Sequence, residues 1–258
     1  MIRIESRDNA QLKRMARLMS DRRFRKTNGE MACEGSKMLE EALRSSAKVS
    51  AVLLADNAAV PPHLLAQAEQ QGAKLYTCPE TLLTRVSDVK TPQGIIFSCT
   101  RPAAQLDALR GAKHVLLLEG LQDPGNLGTI IRTADAFALD GIILCEGCVD
   151  PTAPKVVRAT MGAAFRLPLV SAGLTEAAAF VKQQGMKLYT TALHRDSVSL
   201  TQTDMHKAAV IIGSEGRGVS QNAIDVCDQC VIIPMKGHAE SLNASVAASI
   251  VMYEMQRS

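Results

Sequence analysis

Residues 233–254 read IPMKGHAESLNASVAASIVMYE. A strand-like run, CVIIPM, opens into a polar loop, and Ser241-Leu242-Asn243 then stands at the mouth of a helix made almost wholly of apolar and small residues, expected over about Ser241 to Gln256. Leu242, Val246, Ile250 and Tyr253 share one face at helical spacing, and Ala244, Ala247, Ala248 and Val251 occupy much of the rest. A helix apolar nearly all round is expected to be buried, against another element or a second subunit. Ser241 reads as its N-cap. A hydroxyl and an amide buried beside such a helix cost free energy unless they have partners or a function.

Upstream of this stretch, strand-like HVLLLEGL, GIILCE, FRLPLV, MKLYTT, AAVIIGS and CVIIPM alternate with helical segments. Strands apolar on both faces and separated by helices imply a parallel sheet covered on both sides. Ligands of such sheets bind beyond the carboxyl ends of the strands, which directs attention to the loops after LLLEGL, LYTT, IIGS and VIIPM. Between residues 31 and 99, MACE, VSAVLLA, KLYTC and GIIFSCT alternate with helical SKMLEEALRSS and PPHLLAQAEQQG, a second, smaller α/β pattern. TRPAAQLDALRGAKH, residues 100–114, interrupts the alternation and reads as a linker, so the expected domains are 1–105 and 106–258.

The chain has 258 residues, 47% of them hydrophobic, and no Trp. No apolar run approaches the roughly 20 residues of a membrane span, and MIRIESRDNA lacks the apolar core of a signal peptide, so the expected compartment is the cytoplasm. Seven cysteines, an odd number, argue for reduced thiols. Cys145/Cys148 and Cys227/Cys230 have the gap of zinc half-sites, but 78 residues separate the pairs and they border apolar strands, so they read as core residues and no metal is expected. Residues 1–26 carry nine basic and three acidic side chains, +6 in a chain whose net charge is +3. Clustered charge of this kind is the footprint expected for a phosphate backbone, with Arg14, Arg22, Arg23, Arg25 and Lys26 as candidate RNA contacts; a solvated helix face is the plainer reading.

Two further segments carry chemistry. In LEGLQDPGNLGTIIRTADAF, residues 118–137, Pro124-Gly125-Asn126 reads as a turn and Gly128 as the opening of a helix with Ile130, Ala134 and Phe137 buried. Arg132 then points away from the core, either to Asp135 or toward a phosphate or hydroxyl, with Asn126 holding it. In VIIGSEGRGVS, residues 210–220, Gly213, Gly216 and Gly218 permit a close backbone approach to a ligand. The segment matches neither the dinucleotide fingerprint nor the Walker A loop, which removes support from hydride transfer and NTP hydrolysis. Glu215 within it is either an acidic residue ahead of a helix or a carboxylate aimed at a ligand.

Taken together, Asn126, Gly128 and Arg132, then GSEGRG, then IPM with SLNAS beginning eight residues beyond Ile233, resemble the SPOUT superfamily and its SpoU/TrmH branch of RNA ribose 2′-O-methyltransferases. FRKTNGEMACEGSKMLEEAL is similar to that family's small N-terminal RNA-binding domain of L30e or L7Ae type. The resemblance implies an α/β fold with a trefoil knot in the C-terminal domain, a homodimer, and S-adenosylmethionine held by Leu193, Gly213, Glu215, Gly216, Ile233, Met235, Ser241, Leu242 and Asn243, with His194 near the wall that Leu193 forms. It further implies methyl transfer to ribosomal or transfer RNA, with Arg132, Asn126, Glu215, Ser241 and Asn243 in the reaction. By family precedent Arg132 abstracts the proton, yet a guanidinium stays protonated near neutral pH. Arg132 is therefore expected to clamp the target phosphate and orient the hydroxyl, with Glu215 as the other candidate base. Base methylation by another SPOUT branch and a non-catalytic RNA-binding relative are the competing readings. One departure is Ala138, where the family commonly has Gly after Phe, expected to affect packing more than chemistry.

Overall fold

A computed structural model describes residues 1–101 and 103–257. Pro102, inside the expected linker, lies outside them. The chain divides into two compact units, Met1–Pro102 with Asp150–Arg166, and Ala103–Val149 with Leu167–Ser258. No single cut separates them, because the segment after Val149 packs with the first unit.

The first unit runs β1 (Ile2–Arg3), α1 (Ala10–Ser20), α2 (Arg22–Asn28), β2 (Glu30–Glu34), α3 (Ser36–Leu43), β3 (Lys48–Ala55), α4 (Pro62–Gln70), β4 (Lys74–Cys78), α5 (Glu80–Val86) and β5 (Ile95–Thr100). Its sheet has the order β1-β4-β3-β5-β2, with parallel pairs on the β1 side and antiparallel pairs to β5. Alternation along the strands sends Val52, Leu54 and Phe97 to one face and Leu53, Ala51 and Ile96 to the other, each face covered by its own apolar cluster. Val157, Ala164 and Phe165 of the returning segment complete the first cluster.

The basic leading segment forms two helices. Asn9 caps α1 by accepting from the N–H groups of Gln11 and Leu12, and Asp21 both ends α1 and caps α2 through the Phe24 N–H. Here one expectation needs correction. Arg25 is only 5% exposed, pairs with Asp150 at 2.7 Å and donates to the Leu18 carbonyl, so it is structural and does not present itself to a phosphate. A charge removed from water must be paired in this way. Arg14 is half-buried and paired with Glu30, whereas Arg22, Arg23 and Lys26 are exposed.

The second unit contributes β6 (His114–Leu118), α6 (Pro124–Ala136), β7 (Gly141–Leu144), β8 (Leu169–Ser171), α8 (Leu174–Gln183), β9 (Lys187–Thr191), β10 (Val198–Ser199), β11 (Ala208–Ile212), α9 (Gln221–Val226), β12 (Gln229–Ile232) and α10 (Ala244–Arg257); α7 (Pro154–Ala159) belongs to the first unit. The seven strands are all parallel in the order β10-β12-β9-β11-β6-β7-β8. Part of the expected linker is structured and belongs here: Leu106–Leu109 is a short 3₁₀ turn, and Leu109 is buried in the core cluster. FRLPLV, expected as one strand, is a 3₁₀ turn ending at Phe165 followed by β8.

α6 begins at Pro124, so Pro124-Gly125-Asn126 is its first turn and Gly128 lies inside it. Proline suits the first helical position because its missing N–H has no partner there, and Asp123 accepts from the Asn126 N–H. Ile130 and Ala134 are buried as expected; Phe137, half-buried, is the helix's last cap. The helix closes with Ala138 donating to Asp135 and Leu139 to Ala134, the hydrogen-bond pattern of a Schellman cap, which sets Ala138 at φ 51°. The departure from Gly at this position is thus a backbone matter, a left-handed residue bearing a Cβ, rather than the packing change expected.

Candidate active site at the carboxyl ends of the parallel strands

β9, β11 and β12 all point their carboxyl ends toward one cavity of about 820 Å³, within the size range of small-molecule sites. Thr191 to Leu193 after β9, Ile212 to Glu215 after β11 and Ile233 to Met235 after β12 form its walls, and Ser241 and Leu242 close it. Of the residues expected around a cofactor, Leu193, Gly213, Glu215, Gly216, Ile233, Met235, Ser241 and Leu242 line this cavity; Asn243 and His194 are not among its lining residues. Leu193 and Met235 are large apolar side chains left exposed, Leu193 at 95%.

The loop after β11 is shaped by its glycines. A Cβ on Gly213 would lie 2.2 Å from the carbonyl carbon of Gly218, so no other residue fits there without moving backbone. Ser214 and Gly218 exchange backbone hydrogen bonds of 3.0 and 2.9 Å, closing a tight turn with Glu215 at its tip. Gly218, at φ 66°, completes the turn. After β6, the Glu119 carboxylate accepts from the Ser220 N–H, tying that end of the same loop down.

Three distant segments then meet through side chains. Asn126 donates from Nδ2 to Glu215 Oε1 at 2.5 Å and accepts at Oδ1 from Asn243 Nδ2 at 3.0 Å. Asn243 Oδ1 in turn accepts from the Ser245 N–H, the Ser245 hydroxyl and the Val246 N–H at 2.9, 2.6 and 3.3 Å. The chain of donors admits one orientation. Helix N–H groups can only donate and a carboxylate can only accept, so both amides between them have their nitrogen and oxygen ends determined. Two expectations are corrected by this arrangement. Asn243, not Ser241, is the N-cap of α10, which starts at Ala244. Asn126 holds Glu215 and Asn243 rather than Arg132. Ser241 and Asn243 are both exposed, not buried beside the helix as expected.

Arg132 is exposed on α6 and does not line the cavity. The apolar face expected to be buried also lies outward: Val246 is 46% and Tyr253 53% exposed, and α10 turns Ala248, Val251, Met252 and Met255 inward instead. With Thr129 and Phe137 of α6, this face lines an apolar groove of about 410 Å³, where Phe137 and Tyr253 meet edge-on at 6.1 Å. Among the cysteines, Cys227 and Cys230 sulfurs lie 4.0 Å apart and Cys148 donates to the Leu118 carbonyl. Burial pushes the Cys145 thiol up to about 12 and Cys227 to about 11, so neither is a ready thiolate near neutral pH.

A parallel sheet whose carboxyl-end loops wall a cavity, with a carboxylate and two amides interlocked beside it, defines an α/β protein with a small-molecule site at the strand ends. Residues 113–253 match the SpoU rRNA Methylase family, and residues 9–96 match the MRM3-like substrate binding domain. The chain is 35% identical over 99% of its length to the full length of the Bacillus subtilis 23S rRNA (guanosine(2553)-2′-O)-methyltransferase RlmP. Among solved structures, the AdoMet-bound rRNA methyltransferase from Sinorhizobium meliloti superposes with a TM-score of 0.90 at 26% identity, covering 99% of this chain and 97% of that one. The SpoU methyltransferase AviRb from Streptomyces viridochromogenes, in complex with AdoMet, gives 0.85 at 26% identity over 96% and 97%. The chain belongs to the SpoU rRNA Methylase family.

Proposed function

We propose that this protein transfers a methyl group from S-adenosylmethionine to a ribose 2′-hydroxyl of ribosomal or transfer RNA. The observation that carries the reading is the Glu215–Asn126–Asn243 chain of hydrogen bonds beside the cavity, which joins the three segments of the family at one point. The cavity fits the cofactor: it has the volume, a wall after β11 whose tight turn Gly213 permits, apolar walls from Leu193, Ile233 and Leu242, and the Glu215 carboxylate for a cationic group. When bound, S-adenosylmethionine supplies an electrophilic methyl group.

The residues of this chain supply position and proton removal. Glu215 accepts from Asn126 through one oxygen and keeps the other for a hydroxyl proton. That placement favours Glu215 over Arg132 as the base, since Arg132 is exposed away from the cavity and a guanidinium gives up no proton near neutral pH. Arg132 clamps the phosphate next to the target ribose, where its planar fork matches the anion. Ser241, at the cavity mouth, positions the hydroxyl, and Asn243 holds Asn126 in register.

The first unit is of the L30e/L7Ae-like type and binds the RNA substrate, with exposed Arg22, Arg23 and Lys26 on the phosphate backbone. The second unit carries a trefoil knot, a reading supported by β12 lying between β10 and β9 although it follows both in the chain. Two copies pair through the apolar α6/α10 groove into a homodimer, covering Val246, Ile250 and Tyr253 and setting the direction of the neighbouring Arg132. The protein works in the cytoplasm; among the described residues no helix is long and apolar enough to cross a membrane.

The test is to incubate the protein with methyl-labelled S-adenosylmethionine and ribosomal or transfer RNA from cells lacking the gene, then digest to nucleosides. Label in a 2′-O-methylnucleoside is expected. Label confined to base-methylated nucleosides contradicts ribose as the target, and RNA binding without any label contradicts an enzymatic role.

A further inference from the structure

In the first unit, the sheet face packed by α1 and α5 is not covered to its end. Register brings Lys74, Ala51, Ser98 and Ala32 into one row across β4, β3, β5 and β2. A hollow of about 330 Å³ lies over this row where Ala51 presents only a methyl group, and the bulge between Val49 and Ala51 bends the strand beside it. Arg14 and Gln11 of α1 and Asn28 at the end of α2 form one wall; Tyr76 and Thr100 form others.

Ser98 lines this hollow at 1% exposure, and its hydroxyl is the one buried side-chain polar atom without a hydrogen-bond partner among the described residues. Buried hydroxyls are nearly always satisfied, because leaving one bare forfeits its hydration with nothing in return. A ligand group that reaches it would restore the missing bond. Arg14 is neutralised by Glu30, so the exposed Lys74 leaves the rim with net positive charge. The hollow thus combines the Lys74 cation, the paired Arg14 and Glu30, an aromatic ring, a bare hydroxyl and two amides, of which Asn28 also donates to the Phe24 carbonyl.

We propose that this hollow seats one unpaired ribonucleotide of the RNA substrate, with its base against Tyr76, its polar edge on Ser98 and Asn28, and its phosphate on Lys74. Single-stranded RNA is read in this way, by a splayed base on an aromatic ring and hydrogen bonds to its edge. The proposal rests on the reading that the protein acts on RNA, and it adds a recognition point separate from the cofactor cavity.

The test follows backbone amide shifts of the full chain by NMR during titration with each of the four ribonucleoside 5′-monophosphates and with inorganic phosphate. At least one nucleotide is expected to shift Ala51, Ser98 and Thr100, whereas phosphate alone shifts only the surroundings of Lys74. Lys74→Ala should weaken the nucleotide roughly three- to tenfold. Ser98→Ala should also weaken it while leaving the melting temperature unchanged or higher, because it deletes a hydroxyl that has no partner in the protein. No shift with any nucleotide overturns the proposal, as do shifts that phosphate reproduces in full or a Ser98→Ala variant that binds like the parent. Calorimetry of S-adenosylmethionine with the same samples reads the methyl-transfer proposal separately: neither variant should alter it, and failure of the parent to bind it would count against methyl transfer alone.

Discussion

The two polar sites of this chain are built on opposite terms. Beside the cavity of the second unit, Glu215, Asn126, Asn243 and the first turn of α10 hold one another through a continuous chain of hydrogen bonds that leaves one Glu215 oxygen open. In the hollow of the first unit, Ser98 is buried and bare. A linked network holds its members in a single geometry, as a group that must meet a reacting hydroxyl requires; an open donor waits for something to bind. The same contrast separates two arginines, Arg25 enclosed with Asp150 and Arg132 facing solvent on α6.

The largest effect is expected at Glu215, the proposed proton acceptor. Glu215→Gln keeps the shape and a hydrogen-bonding side chain but removes the proton acceptor, and single-turnover methyl transfer at saturating S-adenosylmethionine should fall roughly 10²- to 10⁴-fold. A variant within a few-fold of the parent would leave Arg132 as the base and break the contrast on its catalytic side. Arg25→Ala tests the structural side. It strands the Asp150 carboxylate in the interior, so urea unfolding of the first unit should lose about 3–5 kcal/mol. If stability holds and RNA binding weakens instead, Arg25 belongs with the phosphate contacts after all.

Smaller effects sharpen the picture. Asn243→Ala removes both the cap of α10 and the partner of Asn126, at a stability cost of about 1 kcal/mol by thermal melt, and turnover should fall as Asn126 loses its orientation. Unchanged turnover would reduce Asn243 to a helix cap. Ala138→Gly should have the opposite sign, a gain of about 1 kcal/mol, because Ala at φ 51° bears a left-handed strain that Gly does not. Chemical denaturation of the two proteins side by side decides it.

What the sequence made legible follows the range of the interactions involved. The parallel sheet could be read because Leu116, Leu117, Val210 and Ile211 announce strands buried on both faces, and the glycines of VIIGSEGRG announce a tight loop. Asn126, Glu215 and Asn243 could be singled out, but not their mutual bonds, which join positions 89 and 117 residues apart. Arg25 looked like its exposed neighbours since its partner lies 125 positions away, in a segment whose return to the first unit has no local signature. The cap of α10 lies two residues beyond the expected Ser241 because Ser and Asn serve equally well as caps, and only the Ser245 and Val246 N–H groups reveal which is used. α10 carries apolar residues on two faces, and composition could not say which one the chain itself covers. Ser98 gave no signal, since a serine in a strand is ordinary until its neighbours are known to be alanines.

The most direct test of the cavity at the carboxyl ends of β9, β11 and β12 is a crystal structure of the protein with S-adenosylhomocysteine. The account predicts the ligand between Leu193, Gly213, Ile233 and Leu242, with the Glu215–Asn126–Asn243 bonds intact beside its sulfur. A ligand seated elsewhere, or a network broken on binding, would contradict it.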